Sequence, residues 1–209
     1  MASQIEQAVI LVGHGAAAKD CPRELVTRWK SLEGRRHATG GPPSAEEIEL
    51  DHRIRTWPRT DANDPYRKGL LSLAEALRPL VAPAALFVAY NEFCAPTIED
   101  AADEAIAAGA KMLTVVPSML TPGGIHSETE IPEALARVRE RHPGVSVLYA
   151  WPYDLRAIAA MLAAHTRQLM ARPRRESGYF TAERGEVDRS GVVEPGGVDQ
   201  GWIDRDRER

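Results

Sequence analysis

The chain is poor in the features that mark a protein for export, for a membrane or for nucleic acid. Only two of its 209 residues are cysteines, Cys21 and Cys94. That excludes a disulfide framework, a C-x-x-C motif and a cysteine-held iron–sulfur cluster, and it fits a reducing cytoplasm. No basic stretch followed by a long apolar run opens the sequence, so no signal peptide is expected. No apolar run approaches the roughly 18 residues that a spanning helix needs. The formal net charge of −4 gives no positive excess with which to hold nucleic acid or an anionic membrane. The Gly-Lys-Ser/Thr of a phosphate loop and the G-x-S-x-G of a serine hydrolase are also missing. What remains reads as a soluble cytoplasmic protein, long enough for one domain with a sizeable core.

What is present is an alternation of strands and helices, interrupted once. Ala8 to Val12 is a continuous apolar run closed by Gly13-His14-Gly15, the pattern of a strand buried on both faces. From residue 18 to residue 64 the chain turns charged and contains no strand pattern. Helices are expected there over Glu24–Arg36 and Ser44–Ile54, with Ser44 and Glu47 in capping positions. This stretch reads as a helical insertion packed on the edge of the core. Alternation then resumes: helix Pro65–Leu80, strand Ala85–Tyr90, helix Thr97–Ala108, strand Met112–Val116, helix Ile131–Arg141, strand Val145–Ala150 and helix Leu155–Met170. The order predicts an α/β fold, a doubly wound four-stranded parallel sheet with flanking helices, over residues 1–171. Residues 172–209 hold eight arginines and nine acids with few residues able to pack, so a disordered charged tail is expected.

In such a sheet, ligands bind outside the carboxyl ends of the strands. Three strands deliver a candidate group there: His14 after the first, Glu92 after the second and His126 after the third. Each alone has an ordinary reading, a loop histidine as a hydrogen-bonding residue and Glu92 as a helix-dipole partner. Together they point to a metal or proton-transfer site. His37, His52, His142 and His165 lie in charged helical contexts and read as surface residues. Gly13-His14-Gly15-Ala16-Ala17-Ala18 also fits a dinucleotide fingerprint, but that motif requires a helix at once, and Cys21-Pro22 and the insertion follow instead. Tyr90, Trp151 and Tyr153 are core or rim aromatics, or the walls of a flat apolar ligand site.

Three stretches carry a family resemblance: Leu11-Val12-Gly13-His14-Gly15, Ala89 to Glu99 (Ala-Tyr-Asn-Glu-Phe-Cys-Ala-Pro-Thr-Ile-Glu), and Val115-Val116-Pro117 with Gly124-Ile125-His126 and Glu130-Ile131-Pro132. In this order and spacing the chain resembles the class II tetrapyrrole chelatases of CbiX/SirB type, which act on sirohydrochlorin. The resemblance covers about residues 5–17 and 65–170. It implies that His14 and His126 hold an incoming divalent metal and that Glu92 is the acid of the Glu-Phe-x-x-Pro segment. The substrates implied are Co2+, Fe2+ or Ni2+ and a tetrapyrrole, with no organic cofactor. The family's Ser-Arg after His-Gly is replaced here by Ala16-Ala17, and the insertion and tail are additions to its short members.

One such unit makes half of the cleft that longer chelatases build from two, and no second Gly-His-Gly is found, so a homodimer is expected. The basic residues Arg23, Arg28, Lys30, Arg35 and Arg36 are candidates to meet the substrate's carboxylates. The alternative function is a non-catalytic carrier or sensor of metal or tetrapyrrole on the same scaffold.

Overall fold

The apolar run near the N-terminus becomes the inside of a sheet. The computed structural model describes residues 5–171, and the chain divides into two units, residues 1–163 and 164–209. In the first unit, strands β1 (Gln7–Gly13), β2 (Ala85–Tyr90), β3 (Met112–Pro117) and β4 (Ser146–Tyr149) lie in the order β2-β1-β3-β4, all parallel. Ile10 is flanked by Phe87 on one side and Val115 on the other. Every residue of β1 except Gln7 is buried.

Because a strand turns alternate side chains to opposite faces, β1 feeds two cores. Ala8, Ile10 and Val12 pack with Leu113 and Val115 against helices α4 (Ile98–Ala107) and α5 (Ile131–Arg141). Val9 and Leu11 pack with Leu86 and Tyr90 against Leu70 and Ala74 of α3 (Pro65–Val81). Side chains as fully buried as Ile10, Leu113 and Leu135 each contribute roughly 1.5–3 kcal/mol. The helices start where side chains can satisfy the first N–H groups. Asp64 accepts from Arg67 N at α3, and Thr97 and Asp100 form a reciprocal box at α4.

The chain leaves β1 toward the α3 face and leaves β3 toward the α5 face. The two strands are neighbours, so their carboxyl ends open a crevice at the point where the winding reverses, which is where ligands bind in such sheets. The expected doubly wound sheet is therefore what forms.

The insertion forms helices α1 (Arg23–Thr39) and α2 (Ala45–Arg55). It builds its own small core from Ala18, Cys21, Trp29, Leu50 and Ile54, joined by Phe93 from the loop after β2. α1 runs beyond the expected Arg36, and Gly40 ends it with a left-handed φ of 74°. A second difference lies after β3. Residues His126–Glu130, expected as loop, wind into a wide π-helical turn that continues directly into α5. The last helix, α6 (Leu155–Met170), carries no buried residue. No helix among the described residues is long and apolar enough to cross a membrane. The expected tail, Arg172–Arg209, lies outside the described residues.

Candidate metal centre

Backbone bonds stitch the ends of the first three strands together. Asn91 N donates to Gly13 O at 2.9 Å, Glu92 N to His14 O at 2.8 Å and Ser118 N to Val12 O at 2.7 Å. The backbone N–H of His14 donates to the Tyr66 hydroxyl at 2.8 Å. Gly15 adopts φ +95°, and a Cβ there would lie 1.9 Å from the carbonyl oxygen of Glu92. Only a glycine lets the His14 and Glu92 loops approach this closely. Phe93 takes φ +60°, a costly conformation for a bulky residue. It is held by packing on Trp29, with ring centroids 5.3 Å apart, and by the Arg59 guanidinium, which donates to its carbonyl.

These constraints bring His14, Glu92 and His126 together. One ligand atom from each lies within 4.8 Å of the others. The rings of the two histidines sit edge to face at 4.5 Å. Glu92 is nearly buried, with its side chain 5% exposed, and its two oxygens face one histidine each: Oε2 lies 4.0 Å from His14 Nε2, and Oε1 lies 3.8 Å from His126 Nδ1. Neither separation is a hydrogen bond, and the gap at His14 leaves room for a cation between carboxylate and imidazole. His14 Nδ1 sits 2.8 Å from Gly15 O. With the proton there, Nε2 keeps its lone pair on the side of Glu92. Neutral imidazole with a carboxylate is a donor set that suits first-row divalent metals. Among the described residues this is the one such His/Cys/Asp/Glu cluster.

Sequence reasoning missed Glu130 and Asn91. Because His126–Glu130 is a helical turn, Glu130 falls one turn beyond His126, and its Oε2 lies 2.7 Å from His126 Nδ1. Asn91 Nδ2 donates to the same oxygen at 2.5 Å. Burial pushes the Glu130 carboxyl up, but these two hydrogen bonds outweigh it and hold the group below its ordinary value. The carboxylate fixes the imidazole ring, and with the proton on Nδ1 toward Glu130 the lone pair of His126 is on Nε2. The i,i+4 spacing aligns the two residues only in a helical turn, and the Pro122-Gly123-Gly124 stretch before it predicts a loop. His37, expected at the surface, has Nε2 3.8 Å from Glu130 Oε1. His142 pairs with Asp103 away from the site.

The insertion covers the carboxylate side of this centre. Arg55 donates to the carbonyls of Asn91 (2.8 Å) and Cys94 (3.1 Å), and Arg59 to those of Ala16 (2.6 Å) and Phe93. Of the expected basic rim, Lys30 alone reaches the centre, 2.9 Å from Glu92 Oε2. Arg28 is paired with Glu46 and Arg36 with Glu47. A cleft of about 460 Å3 opens between the insertion and α4 and α5 and reaches Glu92 and Glu130. Its arginines Arg36, Arg55 and Arg137 are engaged by Glu47, Asp51 and Glu99, and neither His14 nor His126 lines it.

Tyr90 lies in the core. Tyr149, Trp151 and Tyr153 brace the chain on both sides of His126, through Ser127 O (3.0 Å), Glu128 Oε1 (3.3 Å) and Pro117 O respectively. The dinucleotide reading loses its requirement, since no helix begins at Gly15 and α1 starts only at Arg23.

Residues 62–169 match the family model CbiX. That span includes Glu92 and His126 but stops short of His14, whose place in the site rests on the geometry. A sirohydrochlorin ferrochelatase of Priestia megaterium is 37% identical over 68 residues, 32% of this chain and 25% of that protein. A sirohydrochlorin cobaltochelatase of Methanocaldococcus jannaschii is 38% identical over 79 residues, 37% of this chain and 54% of that protein. The chain thus spans between a quarter and about half the length of these curated relatives. Among solved structures, the sirohydrochlorin chelatase SirB from Bacillus subtilis subspecies spizizenii in complex with cobalt aligns with a TM-score of 0.40 at 21% identity, covering 78% of this chain and 51% of that one. The family match takes in more than half of the 209 residues, from just before α3 into α6, and the chain belongs to the CbiX family.

Proposed function

We propose that this protein is a metal chelatase that inserts a divalent ion into a sirohydrochlorin-type tetrapyrrole. Cobalt and iron are the leading metals and nickel a third. The observation that carries the reading is the convergence of His14, Glu92 and His126 within 4.8 Å at the crevice between β1 and β3. His14 and His126 hold the metal through imidazole nitrogens, borderline ligands that can give it up again. Glu92 offsets the charge of the incoming ion and accepts the protons that leave the pyrrole nitrogens. Its near-complete burial strengthens both interactions. Glu130 and Asn91 keep the His126 ring in place. The sirohydrochlorin chelatases among the relatives support this choice of substrate.

The insertion walls the crevice of one copy on the Glu92 side. A second copy facing it would close the other side of a flat macrocycle, so the working form is proposed to be a homodimer. Light scattering should return twice the 22.9 kDa chain mass. The activity test is an absorbance time course of sirohydrochlorin with Co2+, Fe2+ or Ni2+. The protein should accelerate insertion above the spontaneous rate, and His14→Ala and His126→Ala should each abolish the gain. Stoichiometric binding of metal or tetrapyrrole without any acceleration would instead identify a carrier.

A further inference from the structure

Lys30 occupies a position that the chemistry of a metal centre does not call for. It comes from α1, in the insertion, and its Nζ lies 2.9 Å from Glu92 Oε2. That same oxygen faces His14 Nε2 across 4.0 Å, so it is the one that an ion held by His14 and Glu92 would bind. The ammonium rests over the Phe93 ring at 4.9 Å and the Trp29 ring at 5.0 Å, which favours a cation there. A second carboxylate is within reach, because Glu33 Oε2 lies 3.3 Å from the same Nζ. Burial pushes the Lys30 ammonium down, but Glu92 and Glu33 outweigh it and keep it charged.

We propose that Lys30 is a tethered competitor of the metal. It neutralises Glu92 while the site holds no ion, moves onto Glu33 when a divalent ion arrives, and returns to Glu92 as the ion passes to its acceptor. Two cations on one carboxylate oxygen repel at close range in a partly buried site, so occupation by metal and by Lys30 exclude each other. The arm sets the affinity low enough for the ion to be handed on, and Glu33 makes its displacement inexpensive. Lys30 acts through Glu92 and is a positioning residue. The inference rests on the metal-centre reading and adds a control element supplied by the insertion.

The test measures Co2+ binding alone, by competition with a chromophoric chelator, on the full chain. Lys30→Met keeps the length of the stem and removes the charge, and should bind Co2+ at least tenfold more tightly than wild type. Lys30→Gln should gain likewise, and Lys30→Arg should stay near wild type. Glu33→Gln should weaken binding several-fold, and that loss should vanish in the Lys30→Met background, where no arm needs a resting place. A structural role for Lys30 predicts no gain of affinity in any of these. Equal binding by wild type, Lys30→Met and Lys30→Gln overturns the competitor and leaves the metal centre standing. Absence of Co2+ binding in all of them overturns both.

Discussion

The structure makes Arg59 the pin between the insertion and the site, and its removal has a calculable cost. Its side chain is 8% exposed and that of its partner Asp64 1% exposed. Nη1 donates to Asp64 Oδ2 at 2.5 Å and to Ala16 O at 2.6 Å. Nη2 donates to Ile54 O at 3.1 Å and to Phe93 O. Arg59→Met preserves most of the volume but leaves a buried carboxylate unpaired, which costs about 3–5 kcal/mol. Asp64 keeps its bond from Arg67 N at the start of α3, which places the expected loss toward the lower end. Against a total stability of about 5–15 kcal/mol that is a large fraction, and it corresponds to a fall in Tm of roughly 6–20 °C for a chain of this size. Urea denaturation and thermal melting measure it. The decisive variant is Arg59→Met with Asp64→Asn, because removing the orphaned charge should recover part of the loss even though it deletes a second native group. If the double variant is no more stable than Arg59→Met, or if Arg59→Met lies within about 0.5 kcal/mol of wild type, the buried ion pair does not anchor the insertion.

Gly15→Ala must displace the Glu92 carbonyl, which would lie 1.9 Å from the new Cβ. It should cost about 1–3 kcal/mol and weaken Co2+ binding, and unchanged binding would show that the two loops need not touch. His126→Ala should abolish Co2+ binding and lower stability by about 1–2 kcal/mol, because Glu130 loses a charge-assisted bond; binding that survives removes His126 from the site. Tyr90→Phe removes a buried hydroxyl that finds no partner and should be neutral or stabilising by up to about 1 kcal/mol. Burial pushes the Tyr90 pKa up, so its contribution is fully present below the ordinary tyrosine value of about 10 and is lost as pH rises beyond it. The variant should therefore show a shallower alkaline loss of stability than wild type, the Tyr149 phenol, pushed up to about 12, being common to both. An equal slope in the two proteins would refute the assignment.

The sheet was legible because its strands announce themselves one at a time. Ala8–Val12 is apolar without a break, which requires cover on both faces, and the alternating helices can supply it only in a wound parallel sheet. His14, Glu92 and His126 were legible for a related reason. Strand ends in this architecture are neighbours whatever the distance along the chain, so groups placed just past them must converge. A local rule also sufficed for the cap at Ser44, which acts with Glu47 within a single turn. The turn at His126–Glu130 escaped for want of such a rule. Two glycines and a proline precede it, which suggests loop, and only the docking of α5 on the sheet extends the helix backward to bring Glu130 onto His126.

The insertion was readable as helices but not as part of the site, and the reason is physical. Its basic residues form a run that any solvated helix face could carry, and nothing local distinguishes Lys30, which reaches Glu92, from Arg28, which pairs with Glu46. The distinction is made by Trp29. It is buried at 4% exposure and packs on Phe93, and that contact fixes which way α1 turns and so where the next side chain points. Phe93 in turn is held in its costly backbone conformation by Arg59 from the far end of the same insertion. The segment therefore grips the Glu92 loop from two sides, at residues 29–30 and at residues 55–59. A helical addition that only decorated the fold would have no reason to bond the carbonyls of residues 91, 93 and 94. These bonds make the geometry of Glu92 depend on residues that no reading of the core alone would bring into the site.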